Sequence, residues 1–228
     1  MNKKSNTKKM VSTAMFAALA YAATFACSYI PKVAGFLSFY IKDAIIVLCA
    51  LIFGPIWGAA IAIIVPLIES VTFSSTAWYG LIMNVLSSLT FCFVTGFIYK
   101  YKRSFYGAII ALLAGVFSVT AVMLVANIFI TPLYLTYVVN VPTTSEDIIR
   151  YYIPKTLLPF NFLKATVNGG LVLLLYKPLS NVMKKARLTE YRLDGNAEIK
   201  RFDKRSLIVT AVSVLVVTAA ICVIFFVL

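Results

Sequence analysis

Apolar runs long enough to cross a bilayer recur along almost the whole chain, and that recurrence limits the fold more than any other feature. A membrane helix needs about 20 apolar residues. Only helices and closed barrels satisfy every backbone group inside lipid. The runs predict spans at Met10–Tyr29, Ala44–Phe53, Ile56–Thr72, Trp78–Tyr99, Gly107–Tyr137, Thr156–Val182 and Leu207–Leu228. The chain is thus expected to be an all-α polytopic membrane protein, with almost nothing left over for a soluble domain. Its composition agrees, at 61% hydrophobic and 13% charged residues. Met10–Tyr29 is too long, and too unlike a cleavable leader, to be a signal peptide, so it reads as a retained first span.

The breaks between runs organise the rest. The first outer loop, IPKVAGFLSFYIKD, carries Pro31 and Gly35. The second run is short, so either it tilts little or part of Phe39–Lys42 continues the helix. GPIWG marks a tight turn before the third, in which Pro66 should introduce a kink. Three units follow: a membrane domain at 1–183, a charged cytoplasmic linker at 184–206 and an additional helix at 207–228.

The formal charge of +13 raises the question of a nucleic-acid partner, and the positions of the charges answer it. Of 21 Lys and Arg residues, four precede the first span, three lie at Lys100–Arg103 and nine between Lys177 and Arg205. An alternating topology puts all these groups on one side. Lys32, Lys42, Arg150 and Lys155 fall in opposite-side loops, and Lys164 falls inside a span. This is the positive-inside pattern with a cytoplasmic N-terminus, and it implies no nucleic-acid partner. Attraction of the Lys177–Arg205 segment to anionic membrane lipid is a secondary expectation. The chain has no His, and Cys27, Cys49, Cys92 and Cys222 all sit in apolar runs without metal or redox spacing.

A lysine at the centre of a membrane helix costs roughly 2.5–3.5 kcal/mol on insertion scales. Lys164, in LPFNFLKATVNGGLVLLLYK, therefore needs a reason. At about 1.5 Å per residue, it lies on the order of 10–12 Å below the outer end of its span. Asn161, one turn above it, Asn127, Asn84 and Glu69 fall in the same outer stratum. Each has a plainer reading: Lys164 as a side chain reaching the headgroups, Asn84 and Asn127 as bonds between helices, Glu69 as a counter-charge to Lys164. Their convergence favours a binding site. Aromatic residues flank that depth: Phe36, Phe39, Tyr40, Trp78, Tyr79, Tyr134, Phe160 and Phe162. Aromatic faces with several amides and one ammonium suit a flat, polar heteroaromatic ligand. They do not suit metal binding or catalysis: no paired carboxylates, Ser–His arrangement or metal motif is present, and no phosphate loop for ATP hydrolysis.

The first span carries Ala14, Ala18, Ala22 and Ala26, four apart on one helix face. Small residues at this spacing let another helix approach closely in a membrane. The face either packs within this chain or docks a separate membrane subunit. A small binding protein with no engine of its own needs such partners.

These residues resemble a known family. SSTAWYGLIMNVLSS, GFIYKYKRSFYGAIIALLAG, VANIFITPLY and LPFNFLKATVNGGLVLLLYKPLS are similar to the riboflavin-specific substrate-binding (S) components of energy-coupling-factor (ECF) vitamin transporters, over about Lys9–Lys185. The resemblance implies a six-helix S-component bundle, plus a seventh C-terminal helix here, that captures riboflavin from outside the bacterial cell membrane. Asn127, Asn161 and Lys164 match flavin-contacting positions, and Asn84 falls in a matching motif. The first outer loop, with Phe36, Leu37, Phe39 and Tyr40, would help close the site, and Glu69 joins the set by depth. The alanine face would dock a transmembrane coupling subunit paired with two ATPases. No cofactor is implied, riboflavin being the cargo. The family often has an aspartate where this chain has Tyr40. Rivals are an S component for FMN or another vitamin, and a non-transport membrane assembly subunit.

Overall fold

The computed structural model describes residues 3–185 apart from 75 and 102. The expected linker beyond residue 185 and the expected span Leu207–Leu228 lie outside the described residues. Helices run in the order α1 (Lys3–Cys27), α2 (Lys42–Phe53), α3 (Pro55–Thr72), α4 (Ala77–Tyr101), α5 (Phe105–Tyr137), α6 (Ser145–Asp147), a π-helical stretch (Ile148–Leu157) and α7 (Leu158–Lys185). Among the described residues, five helical segments are long and apolar enough to cross a membrane: Asn6–Cys27, Pro55–Thr72, Trp78–Tyr101, Phe105–Tyr137 and Ser145–Leu179.

Local chemistry sets the boundaries. Gly54 adopts φ +108°, a conformation that favours glycine, and Pro55 follows at the first helical position of α3. The two helices are thereby joined as a tight hairpin. The Ser104 side chain accepts the Gly107 amide at 3.0 Å and starts α5. Thr144 and Asp147 form a reciprocal capping box at the start of α6. The last span was expected to begin near Thr156, yet helical backbone starts at Ser145. The wider π-helical stretch carries the chain past Pro154, a residue with no N–H to give. Helix α3 continues through Pro66 and α5 through Pro132.

Helix α2 lies at the centre, in contact with α1, α3, α4 and α7. At 12 residues it is about 18 Å long, short of a hydrocarbon core of about 30 Å. It buries Ile46, Leu48 and Ile52 against Ile61 and Val65 of α3, Phe91 and Cys92 of α4 and Val172 of α7. Close helix approach depends on small residues. A Cβ at Gly58 would come within 2.6 Å of Cys92 Sγ, and one at Gly115 within 2.8 Å of the Phe91 ring. Outward-facing Leu113, Phe117, Val125 and Phe129 give α5 the exposed apolar surface that membrane helices turn to lipid.

Helix α1 presents two faces. Phe16, Ala20, Thr24 and Cys27 are buried against the bundle. Ala14, Ala18, Ala22 and Ala26 are all exposed. Packing of the alanine face within this chain, one of the two sequence-based readings, is not what the described residues adopt.

Candidate ligand-binding site

The loop at 28–41 and the ends of α4, α5 and α7 meet at one end of the bundle and enclose an open-mouthed cavity. The loop turns through Ala34 and Gly35, both at positive φ, where Val33 and Leu37 exchange backbone hydrogen bonds of 2.9 Å. That turn directs Phe36, Leu37, Ser38 and Tyr40 into the cavity wall. Helix α4 contributes Tyr79, Met83 and Asn84; α5 contributes Met123, Asn127, Thr131 and Tyr134; α7 contributes Phe160, Asn161 and Lys164. The Phe36 and Tyr79 rings each lie 6.0 Å from that of Tyr134, giving one side an aromatic wall.

The amides are held by their own helices. Asn127 donates from Nδ2 to the Met123 carbonyl at 2.6 Å, and its Oδ1 accepts the Thr131 hydroxyl at 2.7 Å. Asn161 donates from Nδ2 to the Leu157 carbonyl at 2.7 Å. Each amide keeps one N–H and acceptor capacity for a ligand. Lys164 is 9% exposed, and its Nζ lies 3.9 Å from Asp43 Oδ2 and 5.8 Å from the centre of the Tyr40 ring. Asp43 is steadied in turn by the Ser88 hydroxyl. The ammonium is therefore near its counter-charge but outside hydrogen-bond range of it, with donors left over.

Of the sequence-predicted site residues, Phe36, Leu37, Tyr40, Asn84, Asn127, Asn161 and Lys164 all line this cavity, whereas Glu69 and Phe39 do not. Phe39 sits between Ser38 and Tyr40 in a non-helical stretch, and both of its neighbours line the wall while it does not. Glu69 has the expected depth but a different bearing. It pairs with Lys42, the two side chains being 2% and 0% exposed, and accepts the Asn84 Nδ2 at 3.0 Å. Lys42, read from sequence as an outer-loop charge, is the first residue of α2 and is fully buried. Its ammonium lies 4.8 Å over the Tyr40 ring, a cation–π distance. Glu69 thus neutralises Lys42, and Asp43 is the carboxylate beside Lys164.

Sequence reasoning missed Lys42, Asp43 and the office of Asn168. Asn168 accepts the Ala44 amide at 2.9 Å and donates to the Tyr40 carbonyl at 3.0 Å, fastening the end of the loop and the start of α2 to α7. A signal was present: two opposite charges immediately precede an apolar run too short to span alone.

A helical membrane bundle that holds amides and an ammonium in an aromatic-walled cavity is built to capture a polar substrate, and it is a binding subunit rather than an enzyme. The chain belongs to the substrate-specific components of ECF transporters, since residues 8–180 match the family model described as "ECF transporter, substrate-specific component". It is 28% identical over 179 residues to the riboflavin transporter RibU of Staphylococcus aureus (strain TCH60), covering 78% of this chain and 93% of that one. It is 26% identical over 187 residues to the riboflavin transporter FmnP of Bacillus subtilis (strain 168), covering 79% and 98% respectively. Among solved structures, one described as the S component of a bacterial ECF transporter matches with a TM-score of 0.63 at 28% identity, covering 78% of this chain and 99% of that chain. The protein is accordingly a multi-pass membrane protein that works with an ECF module.

Proposed function

We propose that this chain captures riboflavin at the outer face of a bacterial cell membrane and delivers it through an ATP-driven ECF complex. One observation carries the reading. Asn84, Asn127, Asn161 and Lys164, from three helices, converge with Phe36, Tyr40, Tyr79 and Tyr134 on a single cavity, in a chain whose relatives are named riboflavin transporters. Amides and an ammonium complement the carbonyls, ring nitrogens and hydroxyls of a flavin, and the aromatic wall complements its ring faces. The N-terminus is cytoplasmic on this reading, supported by the 16 cationic residues that the topology gathers on one side. The exposed alanine face of α1 is the docking surface for a transmembrane coupling subunit, which is paired with two ATPases.

The test is an absorbance spectrum of the purified protein, followed by riboflavin titration with flavin fluorescence as the readout. A bound yellow chromophore or saturable quenching is expected. Folded protein with no flavin affinity overturns the reading, and tighter binding of FMN than of riboflavin reassigns the cargo.

A further inference from the structure

The Lys42–Glu69 pair lies outside the cavity, yet it touches two residues of the wall: Lys42 lies over the Tyr40 ring, and Glu69 meets Asn84. Asn84 lines the wall and commits its Nδ2 to Glu69 at 3.0 Å. A carboxylate accepts and cannot donate, so this contact fixes which end of the Asn84 amide points away from the ligand. Lys42, 0% exposed, is bonded to Oε2 of the same carboxylate while Asn84 is bonded to Oε1, so both Glu69 oxygens are engaged as acceptors. With Nδ2 turned to Glu69, Asn84 keeps its Oδ1 and one remaining N–H. Lys164, which also lines the cavity, can only donate.

We infer that Glu69, backed by Lys42, is a positioning residue for specificity. It fixes the orientation of the Asn84 amide and keeps Oδ1 available as an acceptor, so that this part of the wall reads an N–H or O–H donor on the ligand. The inference rests on riboflavin as the cargo, a molecule that offers such donors at its ring imide and its ribityl hydroxyls. Glu69 itself meets no ligand atom and acts through Asn84.

Glu69→Gln inverts the arrangement. Lys42 claims the new side-chain carbonyl, the new amide NH2 turns towards Asn84, and Asn84 rotates to present its own NH2 to the cavity. Two donors then face each other, and a buried donor left without an acceptor is costly. Riboflavin affinity is therefore expected to fall about tenfold in Glu69→Gln. Asn84→Ala is expected to weaken binding to a similar degree. In the double variant, Glu69→Gln should add less than a twofold change, because the residue through which it acts is gone.

The experiment is this double-mutant cycle, with riboflavin affinities read by fluorescence quenching and thermal unfolding followed in detergent. Effects that simply add, or an undiminished affinity in Glu69→Gln, overturn the inference. Should Glu69→Gln alone fold poorly, Lys42→Met with Glu69→Gln removes both charges together, and the cycle is run in that background. There Asn84 is free to turn either way, so the riboflavin loss should be smaller than tenfold and still vanish with Asn84→Ala. Wild-type protein that binds no riboflavin refutes the cargo assignment. Wild-type binding with an additive cycle refutes only the role given to Glu69.

Discussion

The cavity wall and the alanine face of α1 sit on one bundle and are made in opposite ways. In the cavity the three amides are each held by a hydrogen bond: Asn127 by the Met123 carbonyl and the Thr131 hydroxyl, Asn161 by the Leu157 carbonyl, Asn84 by Glu69. The alanine face has no polar group to restrain, and Ala14, Ala18, Ala22 and Ala26 offer only a shallow, even surface. The difference follows from the solvent. A polar ligand leaves water and must find its hydrogen bonds ready, since unmade ones are costly. A membrane helix meeting another helix exchanges lipid contacts for protein contacts, and the gain comes from how closely backbones approach.

The comparison can be broken at several points, and the largest effect is expected where a restraining partner is removed altogether. Lys42→Met leaves the Glu69 carboxylate buried without its counter-charge, and such losses run to about 3–5 kcal/mol. Thermal unfolding in detergent should show it, and Lys42→Met with Glu69→Gln should recover much of the loss. An unchanged midpoint in the single variant would show that the pair contributes nothing to holding α2. Lys164→Gln comes next, replacing an ammonium by a neutral donor. Riboflavin affinity should drop roughly 10–100-fold, as for hydrogen bonds made by charged groups, and the unfolding midpoint should fall less than in Lys42→Met, because Asp43 loses a cation 3.9 Å away but keeps the Ser88 hydroxyl. Undiminished binding would remove Lys164 from the site.

On the other surface the same logic predicts a separation of readouts. Ala18→Leu or Ala22→Leu should leave riboflavin affinity within about twofold and abolish uptake by cells, because the added side chain holds the docking helix away. Normal uptake would end the docking assignment. The smallest effect belongs to Trp78, 75% exposed and absent from the cavity lining. For Trp78→Ala the change in affinity should stay within about 0.5 kcal/mol, the usual range for surface positions. A larger loss would extend the site beyond the wall described.

Depth along a helix was legible in the sequence, and bearing around it was not. Counting residues from the outer ends brought Asn84, Asn127, Asn161 and Lys164 to one level, and all four line the cavity. The same counting admitted Glu69, which faces Lys42 instead. Rotation depends on which neighbours a helix packs against, and that is a property of the assembled bundle. Lys42 was misread for a related reason: a charge beside a loop resembles a solvated one until the short helix that follows is seen to lie at the centre. The spacing of the alanines defined a face, and only packing decided that the opposite face of α1 goes inward. The π-helical stretch was hidden by Pro154, which reads locally as a break.

The central position of α2 has a consequence for how the chain is made. Ten of its 12 residues are buried, beginning with Lys42 and Asp43. A segment so short, headed by two charges, has no comfortable place in lipid when it first leaves the ribosome. Glu69 arrives with α3, Ser88 with α4, and Lys164 and Asn168 only with α7. The second helix to be synthesised therefore has its full set of buried partners only once α7 has been made.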